Sequence, residues 1–78
     1  MRVLVVEDDE GIAGGLAAHL ARSGHAVDCT PSLAGAWSAL AAEPYDVILL
    51  DLGLADGDAL IVFHNEHPHA PIVPLRIA

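Results

Sequence analysis

Three side chains in this sequence have the type and spacing to act together on a charged group. Glu7 and Asp8 follow directly on the apolar run Val3-Leu4-Val5-Val6, and Asp51 follows directly on Val47-Ile48-Leu49-Leu50. Each therefore stands where a buried strand would end. Carboxylates drawn within a few ångströms of one another repel strongly, and the physical remedy is a hard divalent cation. All-oxygen ligands with bound waters suit Mg²⁺. A carboxylate beside such a cation can also attack phosphorus and form an aspartyl-phosphate, while the metal offsets charge on the phosphoryl oxygens. Taken singly, the same residues read as acids that favour a helix N-terminus or solvate a strand end. Which reading holds depends on whether the fold brings them together.

The elements that must do so can be read from the apolar pattern. Val3–Val6 is continuous and largely β-branched, as in strands buried on both faces of a parallel sheet. Ile12, Leu16 and Leu20, with Ala13 and Ala17 beside them, predict an amphipathic helix over about residues 10–23, closed by Gly24. Gly14 and Gly15 inside it each cost roughly 1 kcal/mol relative to alanine. Residues 26–29 read as a short second strand, less apolar and so nearer an edge. Ser32 N-caps a second helix over about residues 33–43, with Leu33, Ala36, Trp37 and Leu40 as its buried stripe and Pro44 at its end. Residues 46–51 form a third strand, and Gly53 with Asp56-Gly57-Asp58 forms a loop. A short third helix over about residues 58–66 is broken by Pro68 and Pro71, and residues 72–75 have strand composition with Pro74 inside. Strand and helix alternate throughout, which predicts an α/β fold with a parallel sheet and right-handed crossovers. In a flavodoxin-like strand order the first and third strands are neighbours, and Glu7, Asp8 and Asp51 converge on one sheet edge.

Composition narrows the function. Seventy-eight residues allow one domain, and 54% apolar content excludes a disordered chain. Eleven acids face three bases, Arg2, Arg22 and Arg76, and there is no lysine. Direct nucleic-acid binding and attraction to anionic membranes are both disfavoured. No apolar run approaches the ~18 residues of a membrane span, and no signal peptide is apparent. The single Cys29 suits a reducing compartment, and a cytoplasmic location is expected. Cys29 reads as a small strand residue, Trp37 as packing, and His64, His67 and His69 as polar surface residues rather than a metal site.

The motifs are similar to those of the receiver (CheY-like) domain of two-component response regulators, closest in pattern to the OmpR-like branch. The residues that carry the resemblance are Val3–Glu10, Gly24-His25, Tyr45–Leu54 and Asp56-Gly57-Asp58. Asp8 and Asp51 stand 43 positions apart, as the family's metal and acceptor positions require. The resemblance is strong over residues 1–58 and weak over 59–78, so the chain reads as a partial receiver domain across 1–78. It implies a flavodoxin-like (CheY-like) fold with helices on both faces. It further implies Asp51 as phosphoacceptor, with Mg²⁺ held by Asp8, by Glu7 often through water, by Asp51, and by the backbone carbonyl of Gly53. The phosphoryl group would come from a sensor histidine kinase or a small donor such as acetyl phosphate. Such a domain is a signalling module rather than an enzyme, with at most slow autophosphorylation and autodephosphorylation.

The pattern also departs from the family. Ala55 and Ala59 stand where the family usually has proline and glycine, and residues 60–66 carry no base. Arg76 aligns with the position of a switching threonine or serine, and no lysine is available for the pocket. Three carboxylates with Mg²⁺ carry about −1, and a phosphoryl group adds about −2. Slow phosphorylation or weak switching is therefore expected. Pro74 is expected to remove a ladder hydrogen bond from a central strand. Without the family's last elements, one flank of the sheet is expected to expose an apolar patch and to favour self-association. Two alternatives stay open: a pseudo-receiver or fragment acting only in protein–protein association, and a Mg²⁺-dependent phosphohydrolase. The second is weakened because the Asp-x-Asp of haloacid-dehalogenase-like enzymes is missing after the first strand.

Overall fold

The computed structural model describes residues 1–51, 53, 62–63, 65–66 and 68–75. Its elements are β1 (Arg2–Val6), α1 (Glu10–Arg22), β2 (Ala26–Thr30), α2 (Leu33–Ala42), β3 (Val47–Asp51) and β4 (Ile72–Leu75). The four strands form one sheet in the order β2-β1-β3-β4, and every neighbouring pair is parallel. The flavodoxin-like order is thus observed, with β1 between β2 and β3.

Local chemistry sets the helix ends. Asp9 is the N-cap of α1 and accepts from the Ile12 N–H at 3.1 Å. Ser32 caps α2 in the same way, accepting from Gly35 N–H at 3.1 Å. Each cap satisfies one of the backbone donors that a helix start leaves free. At the end of α1, the Gly24 N–H donates to the Ala21 carbonyl and the His25 N–H to the Leu20 carbonyl. This Schellman arrangement needs a left-handed residue, and Gly24 supplies it with φ 90°. α1 and α2 each end one residue earlier than expected, and β2 runs on to Thr30. Of the third helix expected over 58–66, Val62, Phe63, Asn65 and Glu66 are helical. The rest of that span lies outside the described residues.

The sheet separates two apolar layers because strand side chains alternate between faces. Val3 and Val5 of β1 pack with Ala13, Leu16 and Leu20 of α1, together with Val27, Val47 and Leu49. Leu4 and Val6 pack on the opposite face with Ala36, Tyr45, Ile48, Leu50, Phe63 and Ala70. The predicted stripe of α2 is the one that packs there: Ala36 is buried, and Leu33, Trp37 and Leu40 lie against the cluster. On α1, Leu16 and Leu20 reach the core, whereas Ile12 is half-buried and outside it. Trp37 meets Phe63 edge to face, with ring centroids 4.8 Å apart.

Pro74 requires a correction. Among the described residues β4 is an edge strand rather than a central one. Ile48 pairs with Ile72, and its N–H donates to the Pro71 carbonyl at 2.9 Å. In that parallel ladder β3 is bonded through residues 71, 73 and 75, so the position lacking an N–H faces away from β3. Pro74 therefore removes no hydrogen bond from the β3–β4 ladder, and it sits where edge strands tolerate proline.

Candidate functional site

Parallel strands in this order place the residues that follow β1 beside the last residue of β3. Val3, Val5, Val47 and Leu49 all face α1, and the same alternation carries Glu7 and Asp51 to that side at the carboxyl edge. Asp8 follows on the turn into α1. The carboxylates of Glu7, Asp8 and Asp51 offer oxygens that all lie within 4.8 Å of one another. Glu7 is buried, Asp51 half-buried and Asp8 exposed, so the cluster opens to solvent from a closed floor.

Backbone groups hold this geometry. The Glu7 N–H donates to the Thr30 carbonyl at 3.0 Å, tying the end of β1 to β2. The Asp9 N–H donates to Glu7 Oε1 at 3.1 Å, and the Gly53 N–H donates to Asp51 Oδ1 at 2.9 Å. Glu7 Oε2 is buried, and no donor among the described residues reaches it. Burial pushes the Glu7 carboxyl above its ordinary value, the Asp9 N–H partly offsets this, and the Asp51 and Asp8 carboxylates raise it further. A buried carboxylate oxygen facing other carboxylates is costly unless a proton or a cation joins them. The donor set is all oxygen, one of its atoms is orphaned, and the cluster faces solvent. These features fit a hard divalent cation such as Mg²⁺.

The sequence-predicted residues thus meet as follows. Glu7, Asp8 and Asp51 come together, and Gly53 lies against Asp51 through its N–H. His64, His67, Ala55, Ala59 and Arg76 lie outside the described residues. Two features had no signal in the sequence. Cys29 lines a cavity of about 310 Å³ beside the acidic cluster, with Glu7, Asp8, Glu10, Ala13, Gly14, Thr30 and Pro31. At the opposite edge of the sheet, Asp28 Oδ2 accepts from the Tyr45 hydroxyl at 2.6 Å and from Arg2 at 3.1 Å. Only the topology brings these groups together.

The response regulator receiver domain family model matches residues 3–75. The chain belongs to that family. Its relatives include the transcriptional regulatory protein PmrA of Pectobacterium parmentieri, 32% identical over 94% of this chain and 35% of the relative. QseB of Haemophilus influenzae, also a transcriptional regulatory protein, is 38% identical over 99% of this chain and 35% of its own. Both fit the OmpR-like branch. This receiver chain spans about a third of the length of these relatives. Among solved structures, NtrX from Brucella abortus superposes with a TM-score of 0.84 at 28% identity, covering 94% of this chain and 18% of that one. The receiver domain of HemR from Leptospira biflexa gives 0.79 at 28% identity, covering 94% and 61%. Among the described residues of the receiver, no helix is long and apolar enough to cross a membrane.

Proposed function

We propose that this receiver domain accepts a phosphoryl group on Asp51 from a sensor histidine kinase, with Mg²⁺ held by Asp8, Asp51, the Gly53 carbonyl and, directly or through water, Glu7. The observation that carries this reading is the convergence of three carboxylates, one of which, Glu7, has a buried, orphaned Oε2. Bound Mg²⁺ would supply positive charge to the phosphoryl oxygens and to the acidic cluster. An Asp51 carboxylate oxygen attacks phosphorus and forms the O–P bond. The bond from phosphorus to the donor's nitrogen or oxygen breaks, and the leaving group takes the electron pair. The Gly53 N–H on Oδ1 fixes the carboxylate, which favours attack from one orientation. Asp9, as N-cap, orients the start of α1 while its N–H holds Glu7. The reading covers residues 1–78 as a partial receiver, with the family pattern strongest over 1–58.

A second reading, association without phosphorylation, draws support from the distribution of cations among the described residues. Arg2 lies at the amino edge of the sheet and Arg22 in the last turn of α1, both away from the acidic cluster. Neither offsets charge on a phosphorylated Asp51. Incubation with Mg²⁺ and acetyl phosphate, followed by intact-mass measurement, separates the two. The proposal expects one phosphoryl adduct, formed slowly, lost without Mg²⁺ and lost in Asp51→Asn. No adduct under conditions that label an ordinary receiver would leave association as the function.

A further inference from the structure

The acidic cluster does not end at its three carboxylates. It opens sideways into the cavity of about 310 Å³ between the start of α1 and the carboxyl ends of β1 and β2. Its lining includes Glu7, Asp8, Glu10, Ala13 and Cys29. Cys29 is the chain's only cysteine and is exposed. It pairs with Val5 across the β1–β2 ladder and so points to the α1 face, the face of Glu7. Its Sγ lies 3.9 Å from the Ala13 carbonyl. An exposed thiol alone would mean little. Here it shares a cavity with a carboxylate that is 5% exposed and whose Oε2 has no partner. That carboxylate calls for a cation, and the Cys29 thiol lining the same cavity can anchor one.

We propose that Cys29 is a charge-selective modification site for small, amine-bearing disulfides and thiosulfonates, whose cationic end pairs with the cavity's carboxylates and competes with the divalent cation. The inference rests on the acidic cluster of the proposed function but not on phosphorylation itself. The chemistry is thiol–disulfide exchange. The Cys29 thiol gives its proton to water. The thiolate attacks the reagent's sulfenyl sulfur, an S–S bond forms, and the reagent's own S–S bond breaks with the electron pair leaving on the departing group. Burial and the Asp28 carboxylate push the Cys29 thiol up, so an anionic or neutral electrophile meets a protonated, weakly reactive group. A cation held by Glu7, Asp8 and Glu10 brings the electrophile to the thiol and offsets the negative field that suppresses the thiolate.

The test uses the full chain and two thiosulfonates of similar size, aminoethyl (cationic) and sulfonatoethyl (anionic) methanethiosulfonate, with adducts followed by intact mass. The cationic reagent is expected to modify Cys29 about tenfold faster at low salt. Millimolar Mg²⁺ is expected to bring the two rates together, at an ionic strength where matched NaCl does not. Glu7→Gln is expected to shrink the ratio in the same direction, and Cys29→Ser to abolish both adducts. Equal rates for the two reagents, or a ratio that NaCl and Mg²⁺ change alike, would overturn the inference. Its failure is separable from that of the phosphoacceptor reading. Asp51 labelling without charge selectivity removes only this proposal, and selectivity without Asp51 labelling leaves it standing.

Discussion

Glu7 concentrates the electrostatic strain of the receiver. It is buried, its Oε2 has no donor among the described residues, and two carboxylates face it. Burial is the largest cause of its raised carboxyl pKa. The folded, metal-free protein therefore holds this proton more tightly than the unfolded chain does. The stability that Glu7 contributes is fully present below the ordinary carboxyl value of 4.5 and is lost as pH rises through the raised folded value. The difference in Tm between Glu7→Gln and wild type, without metal, is thus expected to grow in the variant's favour as pH rises above that ordinary value. Mg²⁺ is expected to raise the wild-type Tm by several degrees and the variant's much less. Thermal melts with and without Mg²⁺ check both, and an equal Mg²⁺ response in the two proteins would remove Glu7 from the cation's surroundings. At this scale the sequence was informative wherever a residue's position along a strand fixed its place. Glu7, Asp8 and Asp51 were legible because strand ends in a parallel sheet share an edge. The Arg2–Asp28–Tyr45 cluster was not, because no periodicity links those three positions.

At the scale of elements, the close approach of α2 to β2 is governed by Gly35. A Cβ there would overlap Thr30 Oγ1 and lie 3.1 Å from Thr30 Cβ. Thr30 is buried at the end of β2, where its carbonyl accepts from Glu7. Its side chain has little room to turn away. Gly35→Ala gains about 1 kcal/mol in helix propensity but loses more to overpacking, for a net destabilisation of about 1–2 kcal/mol. Urea denaturation is expected to show the loss, and Thr30→Ala in the same chain is expected to restore most of it, since the two residues share one contact. The helices α1 and α2 were legible because their period runs over ten residues or more, and β1 and β3 because each is a continuous apolar run. The place of Pro74 was not. Whether a proline breaks a ladder depends on which of its neighbours faces the partner strand, and that parity is a property of register.

For the whole molecule, both apolar layers meet at β1, in which Val3–Val6 are all buried. Coverage at the other end of the sheet is thinner: Val47 and Leu49 are only half-buried, and Val73 is 44% exposed. Exposed apolar surface beside an open strand edge favours association. The 78-residue chain, expressed by itself, is expected to show a Tm that rises with protein concentration, together with a sedimentation coefficient above that of a monomer. A concentration-independent, cooperative transition of a monomer would contradict this. Fold class and strand order were legible from the alternation of elements, since a parallel sheet with helical crossovers admits few topologies. The unequal coverage of the two faces was only partly so, because it depends on how far each helix reaches across the sheet.

The parallel pairing of β1 with β3 also sets an order of events in time. Its last rung joins Val6 to Leu50, and the acidic cluster lies just beyond that rung. Glu7 and Asp51 are separated by 44 positions of chain, so nothing local can bring them together early. The cluster is expected to close only once the ladder has zipped to its end, after a transition state that already holds most of the sheet. A cation bound there stabilises the finished state far more than the state that leads to it. Mg²⁺ is therefore expected to slow unfolding several-fold and to leave the refolding rate nearly unchanged, as stopped-flow chevron plots would show. The site would then act as a latch on a sheet already assembled, and its release would be the first step of the chain's undoing.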